Sequence, residues 1–182
     1  MPKKKKKSSA VKQSAKKTIR RKKPTKRKLK VPFIQKGYHC ITPYLIINQA
    51  ANAIEFYKKV FGAKVVMRLE QPNGRIGHAE LKIRDTKIML ADECPEMQAH
   101  APQNCGSSPV GIHIYVKDVD KTVAHAVKQG AKLIHEVADK FYGDRSGTLC
   151  DPFGHTWFVA THIENVTPAK IRKRAAAMFA KK

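Results

Sequence analysis

Residues 41–92 read ITPYLIINQAANAIEFYKKVFGAKVVMRLEQPNGRIGHAELKIRDTKIMLAD, and the order of elements within this stretch decides the fold. Its first seven residues, ITPYLII, are apolar and β-branched and predict a strand. Asn48–Asn52 predicts a turn leading into a helix. Ala53, Ile54, Tyr57, Val60 and Phe61 recur at helical spacing and make one apolar face. Gly62 follows where a helix C-cap is expected. Lys64–Glu70 predicts a strand, Pro72-Asn73-Gly74 a turn, and Arg75–Ile83 another strand. Asp85-Thr86 predicts a tight turn and Lys87–Asp92 a fourth strand. The order is β-α-β-β-β.

The same order returns downstream. Residues 94–109 are rich in Pro, Gly, Ser and Gln and predict a linker or flexible loop. After them Val110–Val116 predicts a strand, and Val119–Gln129 a helix closed by Gly130. Lys132–Val137, Ser146–Asp151 and Thr156–His162 predict three more strands, and Asp151-Pro152-Phe153-Gly154 reads as a plain β-turn rather than a site. Gly62-Ala63-Lys64 recurs as Gly130-Ala131-Lys132, an offset of 68, and Ile88-Met89-Leu90-Ala91 corresponds to Trp157-Phe158-Val159-Ala160, an offset of 69. Two near-equal offsets within two copies of one element order argue for an internal duplication. The expected architecture is therefore α+β: module one over 38–93, a linker over 94–109, and module two over 110–167.

Charge separates this domain from its ends. The 182 residues carry a formal net charge of +23. Residues 1–36 hold seventeen Lys or Arg and no acid, and residues 168–182 hold six more and no acid. The middle is neutral, with fourteen basic and fourteen acidic residues. Such a pattern fits a globular module carrying basic ends rather than a uniformly basic nucleic-acid-binding fold. Residues 1–36 lack the apolar content to offset the entropy of ordering, and are expected to be a disordered tail. At 168–182, Thr167 as N-cap and Pro168 at the first helical position predict a basic helix, with Ile171, Ala175, Met178 and Phe179 on one face.

The four cysteines, Cys40, Cys94, Cys105 and Cys150, form no C-x-x-C pair, and with no secretory signal they predict reduced thiols in a cytoplasmic protein. No apolar run is long enough to span a bilayer, so no membrane partner is expected. In a eukaryote Lys3–Lys7 and Arg20–Lys23 would read as nuclear import signals. Seventeen cations without acids also predict non-specific binding of nucleic acid through residues 1–36. The near absence of aromatics there argues against base stacking.

The paired βαβββ modules resemble the glyoxalase / bleomycin-resistance / extradiol-dioxygenase superfamily, whose fold is called vicinal oxygen chelate. The stretches ITPYLII, AIEFYKKVFGAKVV and IMLADE in the first half, and HIYVKDVD and FYGDRSGTLCDPFGHTWFVATHIENV in the second, resemble its PhnB-like branch. The resemblance covers about residues 40–175 and leaves the basic tail outside. It implies two half-cups of largely antiparallel sheet around a small-molecule ligand, and a homodimer. In metal-dependent members it also implies a divalent ion held by one residue on the first and one on the last strand of each module. A substrate with two neighbouring oxygens then chelates the ion, a Lewis acid.

Aligned by flanking strand and helix residues, those four positions fall on Thr42, Met89, Gly111 and Phe158. None is a good ligand for a hard or borderline cation, so no cofactor is expected at the usual place. A divalent metal would require a relocated site, for which His78, Glu93 and His113 are the candidates. Without a metal, strand parity gives a lining of Thr42, Tyr44, His78, Met89, His113, Tyr115 and Phe158, with Trp157 in the core. Tyr142-Gly143-Asp144-Arg145 reads either as a loop at the mouth, with Tyr142 and Arg145 on an anionic ligand, or as a loop held by its own Asp144–Arg145 pair. His155 reads as an exposed turn residue. No catalytic residue is identified: the sequence shows no triad, P-loop or dinucleotide fingerprint.

Two function classes fit. One is a lyase-, isomerase- or transferase-like enzyme acting on a small oxygenated or anionic molecule. The other is a metal-free, ligand-sequestering module tethered to nucleic acid or another polyanion by its tail.

Overall fold

Backbone hydrogen bonding must be completed wherever apolar residues take the chain out of water, and each half of the domain does so with one helix on a four-stranded sheet. A computed structural model of the chain describes residues 31–104 and 108–180. Most of the basic tail and Cys105 therefore lie outside the described residues. Strand β1 is Tyr44–Ile47, helix α1 Ala50–Phe61, β2 Lys64–Glu70, β3 Ile76–Ile83 and β4 Thr86–Asp92. Module two has β5 Gly111–Tyr115, α2 Val119–Lys128, β6 Lys132–Asp139, β7 Asp144–Cys150 and β8 Thr156–His162, followed by α3 Pro168–Phe179.

The sheets have the same order, β1-β4-β3-β2 and β5-β8-β7-β6. In each the first strand is parallel to the last, β1 to β4 and β5 to β8, and the other pairs are antiparallel. Among the named strands no ladder joins the two sheets, so each stays open. The bridging segment is less featureless than its composition predicts. It contains short 3-10 turns at Pro95–Met97 and Pro102–Asn104, and Ala101 is fully buried.

Duplication shows in the capping as well as the topology. The first N–H of α1, on Ala50, is accepted by Asp92 at the end of β4, at 2.9 Å. The first N–H of α2, on Val119, is accepted by the Thr161 hydroxyl near the end of β8, at 3.0 Å. Both donors and both acceptors are 69 residues apart. In each module the last strand therefore satisfies an orphan donor of its own helix. Asp92 also accepts from Ile76 N, which ties the start of β3 to the same carboxylate. Gly62 closes α1 in the left-handed region at φ 65°, as the sequence predicts, and the next N–H, of Ala63, reaches the Tyr57 carbonyl.

One apolar core runs through both modules. Leu45, Ile47, Ile54, Tyr57, Leu81 and Leu90 of module one join Val119, Leu149, Trp157 and Val159 of module two. Trp157 lies against Phe61 and Tyr57, with ring centroids 4.5 and 5.4 Å away. At the centre of this contact sits Asp151, only 3 % exposed. Its Oδ2 accepts from Tyr57 Oη at 2.7 Å and Trp157 Nε1 at 2.9 Å. Its Oδ1 accepts from the N–H groups of Phe153 and His155, at 3.0 and 2.9 Å. The stretch read as a plain β-turn is thus a turn whose first residue fastens module two to α1 of module one. Burial, then the charge of Asp151, holds the Tyr57 phenol far above its usual ionisation range, so it stays a donor. The neighbouring His155 is buried rather than exposed, and its Nε2 lies 3.2 Å from the Ile46 carbonyl, a second link between modules.

Strand β2 is the contrasting element. All seven of its residues are exposed, no strand among the described residues pairs with its outer edge, and irregularities interrupt its pairing with β3. At the other end of the chain α3 starts as predicted, with the Thr167 hydroxyl accepting from Lys170 N. Glu164 anchors it through Arg174 and Lys170, which together hold the Glu164 carboxyl down at about 2. Cys40, Cys94 and Cys150 are free thiols. Among the described residues no helix is long and apolar enough to cross a membrane.

Removing a buried carboxylate that has four donors strands all four. Asp151→Ala is expected to lower the unfolding free energy by about 3–5 kcal/mol in urea titrations. Tyr57→Phe, which removes one donor, is expected to cost about 1–2 kcal/mol. A loss below about 1 kcal/mol for Asp151→Ala would show that the modules are held by apolar packing alone.

Candidate functional site

Alternation along the strands turns one set of residues into the core and the other onto the face away from the helices. In module one that outer face carries Tyr44, His78, Glu80 and Met89, since Tyr44 and Glu80 are both register partners of Met89. Tyr44 Oη is 3.0 Å from His78 Nδ1, and His78 Nε2 is 3.7 Å from Glu80 Oε1. Glu80 is only 6 % exposed and pairs with Lys87 at 3.3 Å. Partial burial raises the Tyr44 phenol above its usual 10.

In module two the outer face carries Gly111, His113 and Tyr115 on β5 and Phe158 and His162 on β8. Its polar centre is Asp144, the first residue of β7 and 4 % exposed. Asp144 Oδ2 accepts from Tyr115 Oη at 2.8 Å, and Oδ1 lies 2.7 Å from His162 Nδ1. The other ring nitrogen, Nε2, lies 3.0 Å from Asn165 Oδ1. With an oxygen acceptor at each nitrogen, the surroundings of His162 favour its protonated form. The Asn165 oxygen, and then the Asp144 carboxylate, hold it above the ordinary 6.5. The bond to Asp144, then burial, raises the Tyr115 phenol. His113 packs edge-on against Tyr115 at 4.8 Å.

Two clefts run along the module junction. One, of about 900 Å³, is lined by residues including Pro43, Arg84, Ile88, His113 and Tyr115. The other, of about 530 Å³, is lined by Pro43, Tyr44, His100, Gly111, His113 and His155 among others. Of the residues expected to line a cup, Tyr44, His113 and Tyr115 are thus brought to these clefts. Thr42, His78, Met89, Tyr142, Arg145 and Phe158 line neither. His78 and Tyr142 stay close by: the first is bonded to Tyr44, and the second lies near Tyr115.

Arg145 is placed differently from the expectation. Asp144 and Arg145 belong to strand β7, not to a loop, so they point to opposite faces. The Arg145 guanidinium meets Asp120 at 2.7 and 2.8 Å and Asp139 at 2.9 Å, and it pairs neither with Asp144 nor with open cleft. Those two carboxylates take up its donors and raise its pKa further. It is a fastener between α2, β6 and β7.

The family's metal positions can be tested on chemistry and space. Thr42 offers a hydroxyl and Met89 a thioether, while Gly111 and Phe158 offer no donor. Phe158 also fills the space a side chain at 111 would need: any Cβ there would collide with the Phe158 ring. These residues do not fit a divalent ion. Nor are His78, Glu93 and His113 gathered into one site: among the described residues no group of three or more His, Cys, Asp or Glu is close enough to hold a metal.

Asp144 and His162 are the functional candidates that the sequence reading missed. Beginning β7 at Ser146 left Asp144 in a loop, and so hid its register pairing with His162. The available signal was parity: His162 shares a strand face with Phe158.

A histidine whose pKa is raised by folding adds stability that is complete below its unfolded value, near 6.5, and is lost as pH rises through its folded value. The difference in unfolding free energy between the native protein and His162→Gln is therefore expected to be largest in mild acid and to shrink at alkaline pH. NMR titration of the His162 ring should give a midpoint above 6.5 that falls in Asp144→Asn. A midpoint unmoved by that substitution would count against the pairing.

Comparison with known proteins agrees with this geometry. The family model described as Glyoxalase/Bleomycin resistance protein/Dioxygenase superfamily matches residues 38–159. An uncharacterized protein of Mycobacterium tuberculosis is 36 % identical over 135 residues, covering 72 % of this chain and 79 % of that one. Among solved structures, a PhnB protein from Bacillus cereus is similar with a TM-score of 0.54 and 16 % identity, over 68 % of this chain and 99 % of that one. The fosfomycin resistance protein FosX from Listeria monocytogenes is similar with a TM-score of 0.53 and 13 % identity, over 73 % and 97 %. Two modules of one helix and one mixed sheet, repeated at a constant offset and matched along most of the domain, place this chain in the glyoxalase/bleomycin resistance/dioxygenase superfamily.

Proposed function

We propose that this chain binds a small oxygenated or anionic molecule on the outer sheet faces, through phenol and imidazole groups rather than through a chelated metal. One observation carries the reading. Tyr44 and Tyr115, both about half exposed, are already oriented by His78 and by Asp144–His162, on faces whose family metal positions hold Thr42, Met89, Gly111 and Phe158. Pre-oriented polar tips beside apolar surface are the usual make-up of a small-molecule site. Of the two function classes, binding fits better than turnover. Both oxygens of Asp144 and both nitrogens of His162 are engaged by protein groups, an arrangement that orients the Tyr115 hydroxyl as a binding group. Pairing of two copies, as the family resemblance implies, would cover Met67, Leu69, Tyr115 and Phe158, which are exposed on these faces.

The test is a panel of small carboxylates, diols and aromatic acids, followed by melting temperature and calorimetry. Ligands are expected to raise the melting temperature equally with and without EDTA. Tyr115→Phe and Tyr44→Phe are each expected to weaken binding by about tenfold. Binding that EDTA abolishes and a divalent ion restores would overturn the proposal.

A second reading concerns the tail, favoured by the charge split between residues 1–36 and the neutral domain. We propose that it tethers the domain to nucleic acid or another polyanion. Binding to mixed-sequence duplex DNA should fall steeply as salt rises and vanish when residues 1–36 are removed. A shortened protein that binds as tightly as the full one would refute this.

A further inference from the structure

The segment that leads into β1, residues 34–43, has no helix or strand of its own. It turns at Gln35–Tyr38, where Tyr38 N donates to the Gln35 carbonyl at 3.1 Å and Gly37 sits at φ +84°. The turn lays Tyr38 on the outer face of module one. Lys87 Nζ lies 3.7 Å from the centroid of its ring. The same ammonium is 3.3 Å from Glu80 Oε2, and both side chains are nearly buried, Lys87 12 % and Glu80 8 % exposed. Lys87 and Glu80 share the face of Met89, because their register partners on the neighbouring strand do. His78 and Tyr44 continue along that face. The Tyr38 hydroxyl is buried beside Glu80, whose carboxylate draws on it and raises the phenol above its usual range, but the two make no hydrogen bond of good geometry.

We propose that the recess formed by Lys87 and Glu80 is a binding site for a hydroxyl-bearing aromatic ring, and that Tyr38 is its built-in occupant. This rests on reading the outer face as the ligand face, and adds a ligand class to it. The recess supplies what a phenol needs: an ammonium over the ring and a buried carboxylate where the hydroxyl arrives. Tyr38 provides the ring but is tethered, and its hydroxyl misses good geometry. A diffusible phenol has no tether and can complete the bond. Its competitor is intramolecular, so the native chain binds phenols weakly and a chain without the Tyr38 ring binds them well. The chemistry is common to a free phenol and to a tyrosine side chain in a peptide.

The experiment uses the full chain with p-cresol as the free phenol, N-acetyl-tyrosinamide as the peptide-like source and toluene as the ring without a hydroxyl. In calorimetry or ligand-observed NMR, Tyr38→Ala is expected to bind p-cresol at least about tenfold tighter than the native protein. Toluene is expected to bind Tyr38→Ala at least about tenfold more weakly than p-cresol, and Lys87→Met added to Tyr38→Ala should remove the gain. Given the p-cresol gain, tighter binding of N-acetyl-tyrosinamide than of p-cresol would assign the site to a peptide tyrosine, and comparable binding of the two would assign it to phenols in general. Equal p-cresol affinity in native and Tyr38→Ala protein, or equal affinity for p-cresol and toluene, overturns the proposal. Tyr38→Phe gives an independent check: losing an unpaired hydroxyl should leave the melting temperature unchanged or higher, and a fall of several degrees would overturn the proposal as well. A native protein that still responds to the ligand panel through Tyr115 while Tyr38→Ala ignores p-cresol would reject this site and leave the broader reading standing.

Discussion

A carboxylate buried among aromatic rings is tolerable only when every lone pair is used, and Asp151 meets that condition with four donors. Two of the donors, Tyr57 and Trp157, belong to different modules, so the requirement that fixes the β7–β8 turn also fixes how the halves meet. His155, in the same turn, adds its contact with the Ile46 carbonyl of β1. The junction clefts, with Tyr44 on one bank and His113 on the other, exist because this register is enforced from behind. What lies on the outer faces thus depends on a polar knot on the inner side.

Much of the fold was legible because it is written in periodicities. The helical stripe Ala53–Phe61 closed by Gly62, and the repeated Gly-Ala-Lys before β2 and β6, specify element order twice over. β2 and β8 begin and end where their composition says. Boundaries were missed where side-chain bonds override local preference. Helix α1 starts at Ala50 because Asp92 caps it from 42 residues away, and β7 starts at Asp144 because Tyr115 and His162 hold that residue in the sheet. The site was legible only as faces of strands. Tyr44, His113 and Tyr115 followed from parity, but which polar groups bond to which is set by register between strands far apart in sequence. The assignments of Arg145 and His155 failed for that reason: one is captured by Asp120 and Asp139, the other by a backbone carbonyl of the opposite module.

The two halves have kept their scaffold and lost their chemical likeness. Asp92 and Thr161 perform the same capping with different groups. On the outer faces the offset of 69 sets His113 against Tyr44 and Tyr115 against Ile46, so each half presents its phenol on a different rung. Module one adds a buried Glu80–Lys87 pair with Tyr38 across it, and module two a buried Asp144 with His162 beside it. A duplicated frame that began with equal halves now offers two unlike surfaces to whatever binds there.

Strand β2 has a consequence for how the molecule behaves in a crowded solution. Its free edge and its exposed Val65, Val66, Met67 and Leu69 form a template onto which another chain could add a strand. Two bulges and the charges of Lys64, Arg68 and Glu70 break that template by twisting the edge and making a second strand costly to align. Edge-to-edge pairing at this strand is therefore opposed by three ionic side chains and two irregularities in its pairing with β3. Neutralising the charges would leave the native fold intact while opening a route to edge-to-edge polymerisation.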